Sequence, residues 1–237
     1  MARSNRHLKI LFFGLICTGI ACFFLDHPLG KWLQQNPFYG EIHKIINCGE
    51  WFGYTVGTVQ VLLAVYVLDR ANRRKILRVA ACSLISGLAV MLVKMVVCRV
   101  RPKMFDFSNT IDQTFTGLNF FTKMSSVHQS FPSGHTAAAV GLALGLSWLY
   151  PHGRKLFAFL AAWVALQRLV SQSHYLSDTI CGAMIGFLIA EALLPHGPLA
   201  GWFDRFESNQ MTNDKISLFP FFDYGAQNAW PSCLLHR

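Results

Sequence analysis

ILRVAACSLISGLAVMLVKMVV, residues Ile76–Val97, is an almost unbroken apolar run with Lys94 near its far end. A window of about 19 residues reads it as a membrane-spanning helix. Five more windows read the same way: Ile10–Leu25, Trp51–Leu68, Thr136–Tyr150, Leu156–Val170 and Asp178–Leu194. Several fall short of the ~20 residues a straight span prefers and borrow flanking residues. Composition agrees. The 237 residues are 53% hydrophobic and 14% charged, against roughly 25% charged in a soluble domain. This argues against a disordered chain and against a soluble globular protein. The predicted fold class is all-α: a polytopic six-transmembrane-helix bundle.

The net charge of +9 needs a location, because Lys and Arg are costly inside a bilayer. Arg3, Arg6 and Lys9 precede the first span. Arg70, Arg73, Arg74, Lys75 and Arg78 lie between the second and third, and Arg154 and Lys155 between the fourth and fifth. With six spans all three groups share one side, which the positive-inside rule makes cytoplasmic together with both termini. The first span also has the flanks of a signal peptide. Its bulky end, Phe23-Phe24-Leu25, does not suit a cleavage site, which favours a retained anchor. Opposite lie Asp26–Glu50, Cys98–His135 and the turn Ser171–Ser177. Asp26–Glu50 balances Lys31 and Lys44 against Asp26, Glu41 and Glu50, and stretches such as Pro28–Gln35 read as short interfacial helices. Cys98–His135 breaks the charge rule with Arg99, Arg101, Lys103 and Lys123. The predicted organisation is residues 1–50, a first span with an interfacial segment; 51–194, a five-span core; and 195–237, a loosely ordered cytoplasmic tail. The seven cysteines, odd in number and without a C-x-x-C pair, are uninformative about a disulfide framework and do not fit a zinc spacing. No basic run with interleaved aromatics points to nucleic acid.

Lys94 and Arg168 sit near the outer ends of the third and fifth spans. Each can snorkel to the headgroups. Alternatively, with Arg101 on the same side, they form a cationic cluster that calls for an anion. Phe131-Pro132-Ser133-Gly134-His135-Thr136 precedes the fourth span. Pro and Ser suit a plain helix start. The same start aims free N–H groups outward, a ready phosphate site. Gly134 permits close backbone approach, and His135 can transfer a proton near neutral pH. Across the next turn, His174 and Asp178 are four residues apart. Asp178 can cap the sixth span. It can also accept a hydrogen bond from one imidazole nitrogen and leave the other nucleophilic.

These residues resemble the type 2 phosphatidic acid phosphatase family, relatives of the vanadium haloperoxidases. The family pattern is K-x6-RP, PSGH and SR-x5-H-x3-D. Here it reads Lys94-x6-Arg101-Pro102, Pro132-Ser133-Gly134-His135 and Arg168-x5-His174-x3-Asp178. The likeness covers about Leu92–Leu194. One departure is Gln167, where the pattern carries Ser.

The resemblance implies a membrane lipid phosphatase acting through a phosphohistidine. His174 would be the nucleophile, Asp178 its orienting partner and His135 the acid and base. Lys94, Arg101, Ser133, Gly134 and Arg168 would hold the phosphate, with no metal and no cofactor. The expected partners are a lipid phosphate and the bilayer. The substrate class is phosphatidic acid, phosphatidylglycerol phosphate, undecaprenyl diphosphate or a lipid A phosphate, met on the extracytoplasmic face of an inner or plasma membrane. The alternatives are phosphoryl transfer to an acceptor other than water, a non-catalytic lipid-phosphate binder, and an anion transporter. The transporter would spread its charges through the membrane depth, whereas these gather at one end.

Overall fold

The computed structural model describes residues 2–118, 125–195 and 197–209. Within them the chain is mostly helical: α1 (Ala2–Gln35), α2 (Gly40–Cys48), α3 (Glu50–Gly53), α4 (Thr55–Leu68), α5 (Ile76–Lys94), α6 (Gly134–Leu149), α7 (Arg154–Val170), α8 (Leu176–Leu193) and α9 (Ala200–Asn209). Five of the six apolar windows lie mainly on one helix each, and Trp51–Leu68 covers α3 and α4. By length and composition, two helical stretches among the described residues are suited to cross a membrane, Arg70–Lys94 and Leu176–Leu193, or three if α2–α3 and α4 count as one bent span. Two of the remaining windows lie on helices that are short or carry several charges. Helix α6 has 16 residues, below the ~20 that span the hydrocarbon, and α7 carries Arg154, Lys155 and Arg168.

Three elements differ from the sequence reading. The fold is not purely helical: β1 (Val97–Arg99) pairs antiparallel with β2 (Phe115–Leu118), with an irregularity between Cys98 and Arg99. Pro28–Gln35 is no separate helix, because α1 runs on through Pro28 to Gln35. The short separate helix of this region is instead α2, which buries none of its residues and exposes Ile42 and Ile45. The start of the expected loose tail is ordered: α9 is held to α5 by the buried Arg78, which pairs with Asp204 and Glu207 and lies over Trp148 and Phe203. Lys123 and the tail beyond Asn209 lie outside the described residues.

Helix α6 is the centre, packed by α5, α7 and α8. Its small residues let neighbouring backbones approach closely, as membrane helix interfaces require. Ala139, Leu142 and Leu146 are sealed in one cluster with Val79 of α5 and Val164 of α7, and the Ser83 hydroxyl donates to the Ala138 carbonyl. On α8, a Cβ at Gly182 would run into the Ser133 carbonyl. That close approach sets the start of α8 against the start of α6. Between α3 and α4 the chain bends by 67° at the extended Tyr54. Gly57 makes room there for the Trp51 carbonyl.

Alternating helix direction places four ends together. Lys94 is the last residue of α5 and Arg168 lies in the last turn of α7. His135 is in the first turn of α6 and Asp178 in the first turn of α8.

Candidate active site

At that end one buried ionic cluster links three distant parts of the chain. Arg99 is fully buried. Its Nη2 donates to Asp26 of α1 at 2.8 Å, and its Nη1 donates to Asp178 of α8 at 2.5 Å and to the Ser177 hydroxyl at 2.8 Å. Asp26 also accepts from the backbone N–H of Ser177 at 2.9 Å, satisfying an N–H of the first turn of α8. The rings of Tyr175 and Phe115 cover the guanidinium at 4.0 and 4.7 Å. Burial alone would push Arg99 down, but the charges of Asp178 and Asp26 outweigh it and hold the group above its ordinary value.

Asp178 is thereby engaged on both oxygens. Oδ1 takes Arg99. Oδ2 takes the Ser130 hydroxyl at 2.6 Å and the Tyr175 N–H at 2.9 Å. The expected direct bond from His174 to Asp178 is not made: His174 Nδ1 lies 3.9 Å from Oδ2. Nδ1 instead sits 2.5 Å from the Ser130 carbonyl. A carbonyl can only accept, so Nδ1 carries the hydrogen and Nε2 of the neutral ring keeps its lone pair. Asp178 and His174 are thus linked through Ser130, whose hydroxyl meets one and whose carbonyl meets the other. Burial first, then the positive charges of Lys94, Arg101 and Arg168, hold His174 well below its usual value. The ring is neutral at neutral pH.

The cations gather around it. Lys94, Arg101 and Arg168 all lie within electrostatic reach of His174 and of His135. Arg101 is pushed down from its ordinary value by burial and by the charge of Arg168. Its Nε is buried with no hydrogen-bond partner among the described residues. A cluster of like charges with an orphaned donor is chemistry suited to an anion. The N-terminus of α6 adds its dipole. The Ser133 N–H donates to the Asp178 carbonyl at 3.0 Å, and its buried hydroxyl shares a 2.9 Å hydrogen bond with Thr136. If Thr136 donates, the Ser133 proton stays free for an acceptor. His135 is stacked under Tyr54, with rings 9° from parallel.

All eight residues singled out from the sequence therefore lie at one end of the bundle. The sequence reading missed Asp26, Ser130 and Glu50, and noticed Arg99 only as a charge on the wrong side. That anomaly was the one available signal for the buried cluster. Glu50 Oε1 lies 2.7 Å from Arg168 Nη2 and 3.9 Å from His135 Nε2.

Comparison with known proteins places the chain in a family. The PAP2 superfamily model matches residues 75–197, and the chain belongs to that superfamily. A lipid A 1-phosphatase of Rhizobium johnstonii is 32% identical over 102 residues, covering 43% of this chain and 39% of the relative. The matching segment is thus less than half the length of that relative. The crystal structure of Aquifex aeolicus LpxE superposes with a TM-score of 0.55 at 18% identity, covering 72% of this chain and 94% of that one. A transmembrane PAP2 type phosphatidylglycerolphosphate phosphatase from Bacillus subtilis gives 0.52 at 13% identity, covering 82% and 96%. At these identities the two structures show a shared fold.

The two neighbouring arginines should behave oppositely. Arg99→Met leaves Asp26 and Asp178 buried without their cation, which costs about 3–5 kcal/mol. Its thermal midpoint in detergent should fall sharply. Arg101→Met relieves like-charge repulsion and should leave the midpoint close to that of the parent. Equal midpoints for the two variants would contradict the assignment of Arg99 as the structural arginine.

Proposed function

We propose that this PAP2-superfamily chain is a membrane phosphatase that hydrolyses a lipid phosphate or diphosphate through a phosphohistidine at His174. The observation that carries the lipid assignment is a cavity of about 440 Å³ between α4, α5 and α6. Leu84, Leu88 and Met91 make its walls apolar, and Lys94, Gly134 and His135 close its end. An apolar groove leading to a cationic end matches a phosphate attached to an acyl-bearing group. A larger cavity of about 530 Å³ between α6, α7 and α8 has no charged residue in its lining and offers no such end.

In this reading the lone pair on His174 Nε2 attacks phosphorus as the phosphorus–oxygen bond to the lipid breaks. His135 gives its proton to the departing alkoxide, which leaves as an alcohol. His135 then takes a proton from water. The resulting hydroxide attacks phosphorus, the nitrogen–phosphorus bond breaks, and inorganic phosphate and neutral His174 are released. Lys94, Arg101 and Arg168, with the Ser133 hydroxyl and the Gly134 N–H, stabilise the non-bridging oxygens as charge develops. Ser130 and Asp178 keep the proton on Nδ1 and stabilise the ring as it becomes positive, the orienting role of a triad acid. The candidate substrates are phosphatidic acid, phosphatidylglycerol phosphate, undecaprenyl diphosphate and lipid A phosphates.

Six spans with both termini cytoplasmic would put this site at the extracytoplasmic face of an inner or plasma membrane, supported by the Lys and Arg asymmetry. Reporter fusions at Arg74 and at Asn109 should then give opposite signals, and matching signals would defeat that topology. Phosphate release from a panel of lipid phosphates should persist in excess chelator, because fixed cations supply the charge a divalent ion would bring. His174→Ala should fall to background. His135→Ala should lose about 10²- to 10⁴-fold, regain part of that with an activated aryl phosphate, and accumulate phosphohistidine trappable at alkaline pH. Phosphate trapped on His135, or activity abolished by chelator and restored by a divalent ion, would refute the mechanism.

A further inference from the structure

Glu50 is a carboxylate standing among phosphate-binding cations, and none of the motif residues accounts for it. It is the first residue of α3, with 41% of its side chain exposed, and it touches Arg168 Nη2 at 2.7 Å. Gln167 Oε1 accepts from Arg168 Nε at 2.5 Å. Nε and Nη2 form one edge of the planar guanidinium fork. Glu50 and Gln167 therefore grip the same edge and leave the Nη1 side for another acceptor. The Gln167 amide also donates to Asn47 Oδ1 at 3.2 Å. Asn47 and Glu50 are three residues apart across the junction of α2 and α3, so both supports of Arg168 come from one interfacial segment. Gln167, the departure from the family pattern, is the link. The shorter Ser side chain would not span from Arg168 to Asn47.

A carboxylate against Arg168 competes with a bound phosphate for the guanidinium and repels it. Its contribution therefore cannot be tighter binding of the anion. What it does supply is a fixed orientation. An arginine on a long flexible stem loses little further freedom when its fork is already held, and misplacement of a clamping group by about 1 Å can cost 10²-fold in rate.

We infer that Glu50 is a positioning residue: acting through Arg168, and braced by Gln167 and Asn47, it fixes the guanidinium for the phosphoryl group in transit. The inference rests on the phosphatase reading above.

The test compares Glu50→Ala and Glu50→Gln with the parent in detergent micelles. It measures kcat on a lipid phosphate, the competitive inhibition constant of inorganic phosphate, and the thermal midpoint. Glu50→Ala should lose about ten- to a hundredfold in kcat, while phosphate inhibits at the same or a lower concentration and the midpoint is unchanged. Glu50→Gln keeps an oxygen within reach of Nη2 and should recover part of the loss. Three results would overturn the inference: a Glu50→Ala kcat within twofold of the parent, a rise in the phosphate inhibition constant that matches the loss of kcat, or no recovery in Glu50→Gln. A parent that releases no phosphate removes the phosphatase reading and this inference with it. An active parent with any of the three results removes the inference alone.

Discussion

The buried guanidinium of Arg99 is the interaction on which the rest of this structure depends. Removing an ion from water costs several kcal/mol, and burial is sustained only when partners satisfy the charge and its hydrogen bonds. Arg99 meets both conditions with Asp26, Asp178 and Ser177, and aromatic faces close it off. Three pieces of chain are thereby fixed to each other: α1 through Asp26, the β1 strand through Arg99 itself, and the start of α8 through Ser177 and Asp178. Two carboxylates around one guanidinium also leave an excess negative charge. Asp178 lies within electrostatic reach of Lys94 and Arg101, so that excess partly offsets the repulsion among the cations nearby.

From this fixed point the order of the site follows by short steps. Asp178 holds the Ser130 hydroxyl, and the Ser130 carbonyl holds His174 Nδ1. The backbone of Ser130 is in turn bonded to the Arg99 carbonyl at 3.0 Å, so the strand that delivers Arg99 also sets the acceptor for the imidazole. Helix α6 is brought alongside by the bond from the Ser133 N–H to the Asp178 carbonyl. The outcome is an imidazole held in one tautomer, with Lys94, Arg101 and Arg168 within electrostatic reach. Such preorganisation is where catalytic electrostatics gains most, because nothing has to reorient as charge develops.

Much of this was legible in the sequence, for reasons that concern helix ends. Lys94, His135, Arg168 and Asp178 each border an apolar run, and runs of alternating direction bring those ends together. What escaped detection depends on contacts distant in sequence or on the backbone. Asp26 and Arg99 are 73 residues apart, and nothing local in either stretch announces the pair. The acceptor for His174 is a main-chain carbonyl, which any residue supplies, so no side-chain pattern encodes it. Asp178 was assigned the direct contact because its spacing from His174 permits it, but Arg99 and Ser130 claim its oxygens first. The two short strands lack the alternation that marks a half-buried strand. Helix α9 has few apolar residues, and the cation that holds it sits on α5. Glu50 looked like one of several loop charges until α3 turned it toward Arg168.

The most direct test is an experimental structure of the protein with orthovanadate bound in detergent or lipid. Vanadium should be bonded to His174 Nε2, with its oxygens directed at Lys94, Arg101 and Arg168. His174 Nδ1 should remain on the Ser130 carbonyl and Asp178 on Arg99. Vanadium bonded to His135, or Asp178 released from Arg99 and turned onto Nδ1, would contradict the account.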